Sequence, residues 1–239
     1  MNSTIALVLA GGKKPGLDIL STRRAKAAIP FGGGYRIIDF ALTNLSRTAI
    51  QHVGILTQHR PESLMDHIMP GHAWGFHTLE RDIKILPPYL GRGDFGWYKG
   101  TADSLYQNID FIEKYQPDQV LVVSGDQVYR MNYSRLLDYH RRKGSEITLV
   151  VKARGQIPSR RYGVLEMDIH NRVTRFEEKL EEARGNYVSL GIYVFNRRYL
   201  VRQLKAMVNA GDRTNQIATD LIIPAVRRGR VRGYPFEDT

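Results

Sequence analysis

Val120-Leu121-Val122-Val123-Ser124-Gly125-Asp126 decides how this chain folds. Val120–Ser124 is the strongest strand pattern present, and its unbroken apolar run suits a strand covered on both faces. Gly125 closes it, and Asp126 sets a carboxylate at its tip. Working outward, Ile5–Ala10 is a second short apolar run, broken by Gly11-Gly12 into a glycine loop. Arg36–Ser46 has helical spacing and Gln51–Thr57 returns to strand. Ala102–Tyr115 is expected to be one amphipathic helix with Leu105, Ile109 and Ile112 on one face. Tyr133–Lys143 is expected to be helical, and Ile147–Lys152 is rich in β-branched residues.

This alternation predicts an α/β fold: a Rossmann-like αβα sandwich with a mostly parallel central sheet. The rhythm changes after Pro158. Gly163–Ile169, Val173–Glu177 and Val188–Phe195 are strand-like with little helix between them, as in an inserted, β-rich, antiparallel layer. Arg198–Asn209 is a last long helix and Thr219–Val226 a short one. No linker interrupts the chain, so residues 1–239 are expected to form one continuous domain with two lobes.

The 239 residues hold 35 Lys and Arg against 24 Asp and Glu, a net charge of +11. Cysteine is absent, which excludes disulfide scaffolds, thiolate zinc sites and cysteine nucleophiles and suits a reducing, cytoplasmic setting. The apolar runs are far short of the ~20 residues of a membrane span, and the first is too short for a signal peptide, so no membrane association is expected. The positive charge suits polyanions, either phosphorylated small molecules or nucleic acid. The basic residues are scattered, apart from Arg141-Arg142-Lys143 and Arg227-Arg228-Gly229-Arg230, which read as solvated helix ends.

Ligands of open parallel sheets sit beyond the carboxyl ends of the strands. Leu9-Ala10-Gly11-Gly12 lies there: its glycines either let the backbone approach a phosphate or base, or serve the dihedrals of a tight turn. Asp126 lies there too, as a hard oxygen ligand for Mg²⁺ beside phosphates or as the N-cap of a helix.

Read together, several stretches resemble the bacterial and plant ADP-glucose pyrophosphorylases, the glucose-1-phosphate adenylyltransferases. They are LAGG (Leu9–Gly12), RAKAAIPFGGGYRIIDF (Arg24–Phe40), WYKGTAD (Trp97–Asp103), SGDQVY (Ser124–Tyr129), FEEK (Phe176–Lys179) and SLGIYVF (Ser189–Phe195), in the family's order and near its spacing. The resemblance implies a nucleotidyltransferase that condenses ATP with α-D-glucose 1-phosphate to ADP-glucose and pyrophosphate, with Mg²⁺, for glycogen or starch synthesis. It implies that Leu9, Ala10, Gly11, Gly12, Gly100, Thr101 and Ala102 frame the nucleotide, with Gln58 touching the base. Lys26 would reach phosphate oxygens and Asp126 would hold the metal, the two forming the catalytic pair. Tyr98, Gly163, Glu178, Lys179 and Ser189 match the glucose 1-phosphate site in the inserted lobe, Lys179 pairing with the phosphate while Glu178 and Ser189 bind hydroxyls. By composition alone Glu177-Glu178-Lys179 is a charged strand end, and Tyr98 and Tyr193 are equally packing aromatics.

Some positions depart from the family. Gly16 stands where the family has a triphosphate-clamping arginine, after Lys13, Lys14 and Pro15. Gln127 replaces a histidine, Ala27 and Gly34 replace a proline and a lysine, and Asn215–Asp220 replaces HDFGKD. The chain is expected to stop short of the family's second metal-binding aspartate, for which Asp238 is no substitute, and of its C-terminal left-handed β-helix. The leading expectation is an adenylyltransferase, as a homo-oligomer or beside a catalytic paralogue. The alternative is a non-catalytic regulatory relative that binds the same ligands. A polyanion-binding module is a third reading, against which stands the lack of a recognition helix or stacking platform; nucleic acid is not an expected partner.

Overall fold

The structure is a computed structural model that describes residues 3–12, 20, 22, 24–88, 96–208 and 215–236. In chain order its first elements are β1 (Thr4–Leu9), a short hairpin of β2 (Pro30–Phe31) and β3 (Tyr35–Arg36), α1 (Ile38–Ser46), β4 (His52–Leu56), α2 (Glu62–Ile68) and β5 (Asp82–Leu86). Next come α3 (Thr101–Gln107), α4 (Ile109–Tyr115), β6 (Gln119–Ser124), α5 (Tyr133–Lys143), β7 (Ile147–Ala153), β8 (Gly163–Met167), β9 (Val173–Glu178) and β10 (Tyr187–Asn196). The last are α6 (Arg197–Val208), a π-helical stretch (Ile217–Ile222), α7 (Ile223–Arg227) and β11 (Val231–Pro235). The chain falls into two compact units, one from residues 1–98 and 110–134, the other from 99–109 and 135–238.

The first unit is built on β1, β4, β5 and β6, with every pairing parallel. Ala6, Leu7 and Val8 of β1 and Val120–Val123 of β6 are fully buried, which is why both strands are apolar without alternation. Leu9 is in register with Leu56 on one side and Ser124 on the other, so three strands deliver their following loops at one edge. The Arg36–Ser46 helix begins only at Ile38, because the Asp39 carboxylate reaches back to accept the Arg36 N–H at 2.9 Å.

In the second unit β10 runs antiparallel to β7 and β8, β8 and β9 form an antiparallel hairpin, and β11 pairs parallel with β7. The change of rhythm after Pro158 is thus a real change of layer. A bulge between Ser189 and Tyr193 contains Gly191, whose φ of 72° only glycine adopts freely. α6 buries Tyr199, Leu200, Leu204 and Met207 on one stripe. The mixed α/β class and mainly parallel sheet match expectation.

Three expectations are corrected. Ala102–Tyr115 is two helices, because the Asn108 amide donates to the Ser104 carbonyl at 2.9 Å, taking the acceptor that a continuing helix would offer its own N–H. Thr219–Val226 is a π turn followed by α7: the Ile223 N–H reaches back to the Ala218 carbonyl, which puts Pro224 in the first turn of α7, where its missing N–H costs nothing. The reading also assigned no element to β5, β11 or α2. No described helix is long and apolar enough to cross a membrane.

Candidate functional site

At the carboxyl edge of the first unit, the Lys26 ammonium meets the Asp126 carboxylate at 2.9 Å. Lys26 opens a short 3₁₀ turn whose Ala27 and Ala28 are buried, so small apolar residues fasten the turn while the lysine stays partly exposed. On the other side, the Ser124 hydroxyl donates to Asp126 Oδ1 and fixes the carboxylate's orientation. The next helix begins at Tyr133, so Asp126 caps no helix, and that alternative is removed. The sequence places Ser124 at the strand end and at the head of SGDQVY without a role of its own; its spacing of two residues from Asp126 is the available signal.

Gly11 and Gly12 do not adopt the left-handed conformation that the tight-turn reading required. A Cβ on Gly11 would lie 3.1 Å from both the backbone N and the Cβ of Gln58, whereas one on Gly12 would meet open space. Gly11 is therefore there for a close approach to the strand-end loop of β4. Gln58 Oε1 accepts the Tyr98 N–H at 2.5 Å, and the Tyr98 hydroxyl donates to the Leu86 carbonyl at 2.8 Å. Tyr98 belongs to this unit, with Leu9–Gly12, Lys26, Gln58 and Asp126.

The other candidate residues belong to the second unit. A Cβ on Gly100 would sit 2.2 Å from the Asn215 carbonyl oxygen, which also accepts the Ala102 N–H at 2.8 Å. The Thr101 hydroxyl donates to Gln216 Oε1 at 3.1 Å and accepts the Ile217 N–H. These contacts fill this turn's polar groups from within its own unit.

Gly163 and Glu178 face each other across the β8–β9 hairpin. A Cβ on Gly163 would meet the Phe176 ring at 2.3 Å and Glu178 Oε2 at 2.9 Å, so glycine makes room for that carboxylate. Lys179 Nζ pairs with Glu178 Oε1 at 3.0 Å, and the Lys179 N–H donates to the Tyr162 carbonyl. Lys179 holds φ at 53°, a conformation that strains a side-chain-bearing residue and is concentrated at functional sites. Ser189 is buried, and its hydroxyl and Glu178 both act on the Tyr193 hydroxyl, whose pKa burial pushes up to about 12. Tyr193 therefore stays neutral beside Glu178 and Ser189. Gly191, one glycine inside a β-rich run, was the signal that the strand bulges there.

Lys13–Gly16 and Asp238 lie outside the described residues. Among the described residues no three acidic or histidine side chains gather to hold a metal. Magnesium commonly takes one or two carboxylates and fills its shell with phosphates and water, so Asp126 suits that ion.

The chain is 42% identical to the glucose-1-phosphate adenylyltransferase of Thermotoga neapolitana over 236 residues, 99% of this chain and 56% of that protein. It is 42% identical to that of Clostridium acetobutylicum over 218 residues, covering 91% of this chain and 57% of that one. With the Bacillus cereus protein of the same name it shares 38% over 234 residues, 98% and 62% of the two chains. It thus spans a little over half the length of these relatives. The resemblance drawn from the six motifs leads to the same proteins. The nucleotidyl transferase family matches residues 5–239, and from a glycine loop, a strand-tip aspartate and a match that long we conclude that this chain belongs to that family.

Proposed function

We propose that this chain transfers an adenylyl group from ATP to α-D-glucose 1-phosphate, releasing pyrophosphate, in the synthesis of a storage glucan. The observation that carries the proposal is the Lys26–Asp126 pair at the carboxyl edge of a parallel sheet, where a cation and a carboxylate stand ready for phosphate and metal. The names of the relatives support the choice of substrates. The reaction forms a bond between the sugar phosphate oxygen and the α-phosphorus and breaks the α–β phosphoanhydride, the electron pair leaving on pyrophosphate. No covalent enzyme intermediate is required, so the side chains act by holding anions and neutralising charge.

Lys26 binds phosphate oxygens and screens their repulsion. Ser124 keeps Asp126 oriented, and Asp126 is the residue that would hold Mg²⁺. When bound, that ion supplies charge neutralisation to the phosphates. Gly12, whose missing Cβ leaves open space, gives the nucleotide a backbone surface without a side chain, with Leu9, Ala10 and Gly11 continuing it and Gln58 at the base. In the second unit Gly100, Thr101 and Ala102 are assigned to the nucleotide, Lys179 to the sugar phosphate, and Glu178 and Ser189 to hydroxyls. Residues 1–239 act in this proposal as one nucleotidyltransferase domain.

Pyrophosphate release, measured with glucose 1-phosphate, Mg²⁺ and each nucleoside triphosphate in turn, tests the proposal. Release with ATP that depends on both the sugar phosphate and Mg²⁺ is the expected result. Equal release from every nucleoside triphosphate, or none from any, contradicts it.

A further inference from the structure

The two basic clusters of the sequence are far apart along the chain, and each alone is an ordinary solvated helix end. The fold of the second unit brings them together. Val231 of β11 is in register with Ile147 of β7, and the Glu146 and Ile147 N–H groups both point to the Arg230 carbonyl, at 3.2 and 3.4 Å. Arg141-Arg142-Lys143, at the end of α5, and Arg227-Arg228-Gly229-Arg230, which starts on the last residue of α7, therefore precede adjacent strand starts. β10 ends at the same place, since Phe195 pairs with Ile147 and the Asn196 N–H donates to the Glu146 carbonyl at 2.9 Å. α6 adds Arg198 and Arg202 at this end.

The acids nearby are already engaged. Asp138 pairs with Arg141, and Glu146 lies 3.6 Å from Arg202. Arg142, Arg227, Arg228 and Arg230 are exposed and pair with no acidic group among the described residues. None of the large apolar side chains exposed among the described residues lies in 139–146, 196–203 or 223–230. This end thus lacks the exposed apolar or aromatic anchors of a typical protein interface and of a membrane-inserting face. Guanidinium forks favour the tetrahedral oxygens of phosphate. Ser189 pairs with Val151, four residues along β7 from Ile147, so this surface is separate from the sugar-phosphate residues.

We propose that this arginine-rich end of the second unit binds a polymer of phosphates through its charge. The backbone of a nucleic acid and inorganic polyphosphate offer the same chemistry. Contacts to the phosphate backbone carry no sequence information, so a nucleic acid would be bound here without base readout.

Fluorescence anisotropy of the whole chain with a labelled DNA duplex and, separately, with end-labelled polyphosphate, each with unlabelled polyphosphate and polyglutamate as competitors, tests the proposal. If about four phosphates are neutralised, affinity falls about 100-fold from about 50 to about 200 mM salt. The variant Arg142→Ser/Arg228→Ser/Arg230→Ser should abolish most of that slope. Arg47→Ser/Arg130→Ser/Arg135→Ser removes the same charge elsewhere and should leave it nearly intact. Tight binding of duplex assigns the nucleic-acid source, and binding of polyphosphate alone assigns the other. Equal weakening by both triple variants, competition by polyglutamate as strong as by unlabelled polyphosphate, or no detectable complex with either labelled polymer at low salt would each overturn the proposal. The salt slope of the unaltered protein stands even if a variant fails to fold.

Discussion

The ammonium of Lys26 and the carboxylate of Asp126, a hundred positions apart in the chain, sit 2.9 Å from each other at the carboxyl edge of a parallel sheet. Each residue is held by its own neighbours in sequence, but only the tertiary fold brings the two together. Lys26 is held by a turn anchored on buried alanines, Asp126 by a strand whose apolar residues are all buried.

A pair acting as one unit makes its losses non-additive. Lys26→Ala is expected to lower kcat by about 10²–10³-fold, the usual cost of removing one positioned charge-stabilising donor. Asp126→Asn should cost at least as much. The double variant should then lose little more than the worse single one, as groups acting together do. Steady-state kinetics of the three variants check this; simple multiplication of the two losses would show independent roles.

Lys179 carries a left-handed backbone, so its side chain and its conformation can be separated by experiment. Lys179→Ala and Lys179→Gly both remove the ammonium and should raise KM for glucose 1-phosphate alike. Only the glycine relieves the backbone, and it should be the more stable of the two by about 1 kcal/mol. Denaturant midpoints and KM values for the pair of variants decide it.

His140 is buried in the second unit, its Nδ1 2.7 Å from the Thr148 hydroxyl, and burial lowers its pKa to about 4. The unfolded chain, with histidine near its ordinary 6.5, binds more protons between those values. Stability from this group is therefore complete above pH 6.5 and is lost as pH falls toward 4, by about 3 kcal/mol at most. His140→Gln should flatten the melting temperature across that window relative to the parent protein. An unchanged pH profile would show that the ring gains its proton without cost.

Gly163 leaves the space that the Glu178 carboxylate and the Phe176 ring fill. Gly163→Ala should displace Glu178, raise KM for glucose 1-phosphate about tenfold or more, and destabilise the chain by about 1–3 kcal/mol through overpacking. Kinetics with varied sugar phosphate at saturating ATP, beside a thermal melt, separate the two effects.

Much of this was legible where a single local rule governs. Val120–Val123 and Ile5–Val8 are continuous apolar runs because both of their faces are buried, and Tyr133–Lys143 is a helix over the residues its pattern marks. Asp126 could be placed at a strand tip, but its partners could not. Lys26 meets it only through tertiary structure, and an N-cap reads the same in sequence until the next helix is seen to start at Tyr133. Asn108 and Pro224 act through which carbonyl is already taken, a choice invisible to periodicity. β11 carries Gly233 and Pro235, residues that argue against a strand, and pairs with β7 all the same.

The most direct test follows the phosphorus of ATP. With ATP, glucose 1-phosphate and Mg²⁺, ³¹P NMR should show ADP-glucose and pyrophosphate growing in equal amounts with the parent protein. With Asp126→Asn, still folded by circular dichroism, growth should be slower by about 10²-fold or more. ADP-glucose formed as fast by that variant as by the parent protein would contradict the account.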